Sequence, residues 1–205
     1  MPIIRNYGLC EYIFAATSKP TTAVEYVKTN IEGVWILEPR VFGDARGYFV
    51  ETYKQEEFDR RVGTTTFVQD NESCSSRGVL RGLHYQRGEW SQAKLVRVIE
   101  GRVVDVAVDL RQSSPTFGEH IMVELSSSNK RQLFVPRGFA HGFLVLSERA
   151  VFAYKVDNLY MPSAERCIAW DDPTLRIPWP TAEAGTLCLS DKDRRGLSWA
   201  EAEKF

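Results

Sequence analysis

Apolar and polar positions alternate along most of the chain in short runs: Val34 to Leu37, Tyr48 to Tyr53, Phe67 to Gln69, Val79 to Tyr85, Leu95 to Ile99, Val103 to Leu110, His120 to Leu125, Gln132 to Val135, Ala140 to Leu146 and Val151 to Val156. The runs are rich in Val, Leu, Phe and Tyr and are punctuated by Gly43, Gly101, Ser113-Ser114-Pro115 and Ser126-Ser127-Ser128-Asn129. That spacing predicts an all-β, antiparallel sandwich or barrel. Helical periodicity is confined to Lys54 to Val62, with Phe58 and Val62 four apart, and to a short tail helix from Leu197 to Lys204.

Period-two counting also assigns faces. Lys94 shares a face with Val96 and Val98, His141 with Phe143 and Val145, and Tyr154 with Phe152 and Val156. Polar groups of this kind are costly to bury without partners, so strands that carry them are expected to line a wet pocket. Asp105 falls with Val103, Ala107 and Asp109, which leaves its direction ambiguous.

The 205 residues, 43% of them hydrophobic, suffice for one core, and no Pro/Gly/Ser-rich linker divides them. One domain is expected over residues 24–205. Residues 1–23 are set apart as a leader: the patch Tyr12-Ile13-Phe14-Ala15-Ala16 is a poor secretory signal and too short to span a membrane. Val24 is a candidate start if its codon is GTG. With 26 basic and 27 acidic residues and no basic run interleaved with aromatics, a nucleic-acid surface is not indicated. Cys10, Cys74, Cys167 and Cys188 lack Cys-x-x-Cys spacing, which reads as reduced thiols in the cytoplasm.

The chemistry concentrates in Gly78-Val79-Leu80-Arg81-Gly82-Leu83-His84-Tyr85-Gln86, in Lys94, and in Val135-Pro136-Arg137-Gly138-Phe139-Ala140-His141-Gly142-Phe143. A histidine is a usable base near neutrality, a lysine in an apolar pocket can stabilise an enolate oxyanion, and a tyrosine can return a proton. Together they describe proton abstraction beside a carbonyl. Each residue also has a structural alternative, because core histidines and tyrosines are common and lysine can snorkel to the surface.

Pro136-x-Gly138-x-x-His141 matches the second half of the cupin signature. The first half, usually His-x-His with a Glu, is here His84-Tyr85-Gln86, and His120 lies in a different predicted strand. A three-histidine metal centre is therefore not expected.

Phe42-Gly43-Asp44-Ala45-Arg46-Gly47-Tyr48-Phe49, Phe67-Val68-Gln69-Asp70-Asn71, Leu80-Arg81-Gly82-Leu83-His84-Tyr85-Gln86, Asp105-Val106-Ala107-Val108-Asp109, Ser114-Pro115-Thr116-Phe117-Gly118 and Pro136-x-Gly138-Phe139-Ala140-His141-Gly142-Phe143 occur in order. From about Val34 to Asp193 the chain closely resembles the dTDP-4-dehydrorhamnose 3,5-epimerases, the RmlC-type cupins. The resemblance implies a jelly-roll (double-stranded β-helix) homodimer that needs no cofactor or metal. Its expected reaction inverts C3 and C5 of dTDP-4-dehydro-6-deoxy-D-glucose, giving dTDP-4-dehydro-L-rhamnose on the route to dTDP-L-rhamnose.

The resemblance also implies residue roles. His84 matches the base, Asp193 its paired carboxylate, Tyr154 the acid on the opposite face and Lys94 the group at the C4 oxygen. His141, Arg46, Glu51, Gln69, Asp70, Asn71, Arg81, Glu165 and Lys192 match substrate-holding positions, and Tyr160 the place that stacks on thymine. Strict alternation puts Arg81 and His84 on opposite faces, so a bulge at Gly82 is expected if both serve one site. Three rival readings follow: an epimerase of the same fold that inverts only C3 or only C5, a metal-dependent cupin oxygenase, and a catalytically silent sugar-binding dimer.

Overall fold

The computed structural model describes residues 23–205, so the expectation of a leader falls, but for Ala23, outside the described residues. The chain runs β1 (Val24–Lys28), β2 (Trp35–Pro39), β3 (Val41–Asp44), β4 (Gly47–Val50), α1 (Gln55–Arg61), β5 (Gln69–Ser76), β6 (Leu80–Gln86), β7 (Lys94–Glu100), β8 (Arg102–Asp109), β9 (His120–Ser126), β10 (Gln132–Val135), β11 (Phe139–Val145), β12 (Arg149–Val156), β13 (Glu165–Cys167), α2 (Thr181–Ala184) and α3 (Asp191–Arg194). A six-stranded sheet, β1-β2-β10-β7-β12-β5, faces a five-stranded sheet, β13-β6-β11-β8-β9, while β3 and β4 pair as a separate hairpin. The architecture is the all-β antiparallel sandwich expected from the strand spacing, arranged as the jelly roll that the resemblance implies.

Inward positions of both sheets meet in a core that includes Val96, Val98, Val103, Ala107, Leu125, Leu133, Phe143 and Phe152. The opposite face of the five-stranded sheet buries Leu80, Leu83, Tyr85, Val106 and Val108 under the C-terminal segment, through Ile168, Trp179 and Ala202. Sheets covered on both sides read as nearly continuous apolar runs. The wholly buried β11 is one of them.

Helix α1 covers the outside of the six-stranded sheet. Glu56 and Glu57 in its first turn and Arg60 and Arg61 in its last complement the helix dipole. Phe58 is fully buried against Leu37, Leu95 and Phe134, and its ring meets those of Tyr26, Tyr53, Phe67 and Phe134 at centroid distances of 5.1–6.4 Å. Phe58→Ala is expected to lower unfolding free energy by about 3–5 kcal/mol, read from urea denaturation, and a loss below about 1 kcal/mol would contradict this packing.

Two sequence expectations need correction. The tail helix from Leu197 to Lys204 is a single turn, because Leu197 is held in a parallel bridge to Ile168 and the Phe205 amide donates to the Leu110 carbonyl. The chain is thus pulled out of helical geometry from both ends. The run at Phe67 to Gln69 is instead a strand beginning at Gln69 and continuing through polar residues to Ser76, fixed by eight-residue pairing with β12.

Candidate active site

A cavity of about 430 Å3 opens between the two sheets, within the usual range for small-molecule sites. From the five-stranded sheet, β6 supplies Arg81, His84 and Gln86, and β11 supplies His141 and Phe143. From the six-stranded sheet come Gln69, Asn71 and Ser73 on β5, Lys94 on β7, and Phe152 and Tyr154 on β12. Tyr160, Glu165 and Lys192 also line it.

The expected bulge is present. His84 pairs with His141, but Arg81 pairs with Phe143, so β6 carries one residue more than β11 over this stretch. Gly82 sits there with φ +133°, and a Cβ on it would lie 2.5 Å from the Gly142 Cα. Only glycine fits such a close backbone approach. The extra residue turns Arg81 and His84 to the same cavity, where Arg81 Nη2 donates to Ser75 Oγ at 3.1 Å.

Asp193 reaches His84 through the cap of α3. The Ser190 side chain accepts from the Asp193 amide, and the Asp193 carboxylate accepts from the Ser190 amide, a reciprocal capping box. That carboxylate also accepts from the Ser190 hydroxyl at 2.5 Å and, 111 residues away in sequence, from the Gly82 amide at 3.1 Å. His84 Nε2 stands 2.8 Å from Asp193 Oδ1, a close contact that is not aligned for a well-directed ring hydrogen bond.

Burial alone would raise the Asp193 carboxyl, but His84, Ser190 and Gly82 together hold it well below the usual carboxylate range. Burial pushes the His84 imidazole below its ordinary value, with Asp193 partly opposing, so the ring is neutral near pH 7. A neutral imidazole beside a fixed carboxylate is equipped to accept a proton.

His141 forms a second pair, with Nε2 2.9 Å from Asp105 Oδ1. Phe143 and His141 on β11 lie opposite Asp105 and Ala107 on β8, which makes His141 and Asp105 diagonal neighbours on one face. The sequence left Asp105 ambiguous. Its fully buried carboxyl is raised by burial, partly offset by His141 and Lys94. Burial lowers the Lys94 ammonium to about 8, with Asp105 and Glu165 opposing. Tyr154 is raised by burial, so its phenol keeps its proton at neutral pH.

At the rim, Lys192 Nζ donates to Glu165 at 2.7 Å and the Tyr160 hydroxyl donates to the same carboxylate at 2.9 Å. Burial would raise Glu165, but these two bonds bring it below its ordinary value. Tyr160 is 53% exposed, leaving its ring open to a flat partner.

Three expected site residues lie elsewhere in this chain. Alternation along β5 turns Gln69, Asn71 and Ser73 inward, which sends Asp70 to the outer face, where it pairs with Lys155 at 2.9 Å. Arg46 stands on the β3–β4 hairpin, paired with Asp44, and Glu51 follows that hairpin; neither lines the cavity. The sequence left the direction of Asp105 open, and it gave no site role to Ser73, Tyr85, Gln86, Gln92 or the aromatic walls Phe143 and Phe152, which also line the cavity. A charged residue inside an otherwise valine-rich run was the available signal for Asp105.

The three histidines do not converge as in a three-histidine cupin metal centre: His84 and His141 line the cavity, but His120 lies on β9 opposite Val108, outside it.

The family described as dTDP-4-dehydrorhamnose 3,5-epimerase matches residues 28–201. A dTDP-4-dehydrorhamnose 3,5-epimerase of Shigella flexneri is 52% identical over 180 residues, 87% of this chain and 98% of that protein. The crystal structure of dTDP-4-dehydrorhamnose 3,5-epimerase from Elizabethkingia anophelis NUHP1 is 50% identical with a TM-score of 0.82, covering 87% of this chain and 98% of its own. That of the Legionella pneumophila Philadelphia 1 enzyme, in complex with dTDP-4-keto-L-rhamnose, is 46% identical with a TM-score of 0.84, covering 88% and 95%. The chain belongs to the dTDP-4-dehydrorhamnose 3,5-epimerase family.

Proposed function

We propose that this protein inverts C3 and C5 of dTDP-4-dehydro-6-deoxy-D-glucose to give dTDP-4-dehydro-L-rhamnose, with His84 as base and Tyr154 as acid. The observation that carries this reading is the convergence of His84 and Tyr154, from facing sheets, on a cavity that also holds the Lys94 ammonium. The C4 ketone acidifies both neighbouring carbons. His84 takes the proton from one face, the charge collects on the C4 oxygen beside Lys94, and Tyr154 returns a proton from the other. The resulting imidazolium and phenolate reset through solvent, and a ring readjustment presents the second carbon.

His141, oriented by Asp105, holds the sugar near Lys94. Arg81, Gln69, Asn71 and Lys192 provide cationic and amide donors for the diphosphate and base, while Tyr160 offers its exposed ring to thymine and Glu165 fixes Tyr160 and Lys192.

Arg46 and Glu51 enter this scheme through a second copy. The β3–β4 hairpin leaves Phe42, Tyr48 and Phe49 exposed, the last at 69%, which is unusual for a free surface. A homodimer in which each hairpin covers the partner's cavity would bury those rings and deliver Arg46 to the diphosphate. Among the described residues no helix is long and apolar enough to cross a membrane. The free thiols of Cys74, Cys167 and Cys188 support a cytoplasmic location.

The test is turnover of this substrate, coupled to a rhamnose-forming reductase, across pH. The base must be neutral and the lysine charged, so activity is expected to rise as pH passes a His84 value below 6.5 and to fall as pH passes about 8. Lys94→Met is expected to lower kcat by roughly 10²-fold or more and to abolish the alkaline limb. Product formation that stays flat from pH 5 to 10 would contradict these roles.

A further inference from the structure

Three potential metal ligands, one of them the proposed base, meet at the wall of the cavity. His84 on β6, Cys167 on β13 and Asp193 on α3 each offer one donor atom, all within 4.8 Å of one another. Strand pairing sets Cys167 directly opposite His84. The capping box of α3 fixes the carboxylate from a third direction. The proposed mechanism gives Cys167 no task, and its thiol makes only a weak 3.6 Å contact to the Ile168 carbonyl. His84 Nε2 is itself buried without a well-directed hydrogen bond.

We propose that His84, Cys167 and Asp193 form a three-ligand site for Zn2+ or Cd2+, and that its occupancy switches epimerisation off. Tetrahedral zinc with ligands at about 2.0–2.3 Å needs donors about 3–4 Å apart, so a side-chain adjustment of roughly 1 Å completes the set. One position stays open for water. Binding releases the thiol proton to solvent and leaves a thiolate, a neutral imidazole and a carboxylate on the ion, with no change of oxidation state. Thiolate and imidazole select these metals over Mg2+ and Ca2+, which prefer oxygen donors. This site differs from the cupin metal arrangement, since neither His141 nor His120 takes part.

The inhibitory consequence rests on His84 being the base: a cation on one ring nitrogen opposes the arrival of a proton at the other. Binding and inhibition are therefore read separately. Chelator-treated protein is titrated with Cd2+, following the ultraviolet thiolate-to-metal charge-transfer band and, in parallel, turnover. The parent is expected to develop the band with one ion per chain, to lose at least tenfold in turnover and to recover with chelator, while Mg2+ has no effect. Cys167→Ala keeps the other cysteines, so it reports any binding by them. It is expected to turn over like the parent in chelator, to lack the site's band and to need at least tenfold more Cd2+ for equal inhibition. Equal bands in the two proteins, no band in either, or equal metal sensitivity would overturn the site. A Cys167-dependent band with undiminished turnover would overturn the switch and count against His84 as base.

Discussion

Replacement of His84 by alanine is expected to lower kcat by roughly 10²–10⁴-fold while leaving the fold and substrate affinity nearly intact. In the proposed mechanism the imidazole, neutral near pH 7 and set beside a fixed carboxylate, is the group that takes the proton. The fold survives because Asp193 keeps its bonds from Ser190 and the Gly82 amide after the ring is gone. His84 also borders the cavity rather than the core, so truncation enlarges a solvent-filled space. Steady-state kinetics in the coupled assay, alongside thermal unfolding, check both halves. Turnover within tenfold of the parent would remove His84 from the role of base.

Tyr154→Phe is expected to separate proton removal from inversion. The ring remains packed beside Phe152, at a centroid distance of 6.1 Å, so the cavity wall is preserved and only the hydroxyl is lost. His84 can still form the enolate, and solvent deuterium is expected to enter the sugar through the His84 face. Inverted product, which needs a donor from the other sheet, is expected to fall by roughly 10²-fold or more. The ratio of exchange to product, taken by NMR, is the readout. A variant that makes inverted product at the parental rate would assign the acid elsewhere.

The sequence made the sheets legible where burial left an unbroken or alternating apolar record, as in β7, β8, β10, β11 and β12. It misplaced β5, marking Phe67 to Gln69 instead of Gln69–Ser76, because the polar residues of that strand alternate between cavity and outer face and carry no hydrophobic signal on either side. The edge strand β1, the hairpin strand β3 and the three-residue β13 were also missed: β1 is mostly half-buried or exposed, β3 is exposed throughout, and β13 is defined by pairing with β6. Strand period put Lys94, His141 and Tyr154 on faces shared with apolar neighbours, and family resemblance brought them together with His84 in one site. Arg81 needed the bulge, which glycine marks but alternation alone does not reveal. Asp193 came from family resemblance, because no local pattern tells that a capping carboxylate will meet a strand 111 residues away. The resemblance put Asp70 at the substrate, whereas the pairing of β5 with β12 turns it to the outer face of this chain.

The most direct test of the account follows deuterium from heavy water into C3 and C5 of dTDP-4-dehydro-6-deoxyglucose by NMR, with a rhamnose-forming reductase present to trap product. Incorporation at both carbons, together with trapped dTDP-rhamnose, is the expected result. Incorporation at one carbon alone would make the protein a single-site epimerase of the same fold, and incorporation at neither would contradict proton transfer on this substrate.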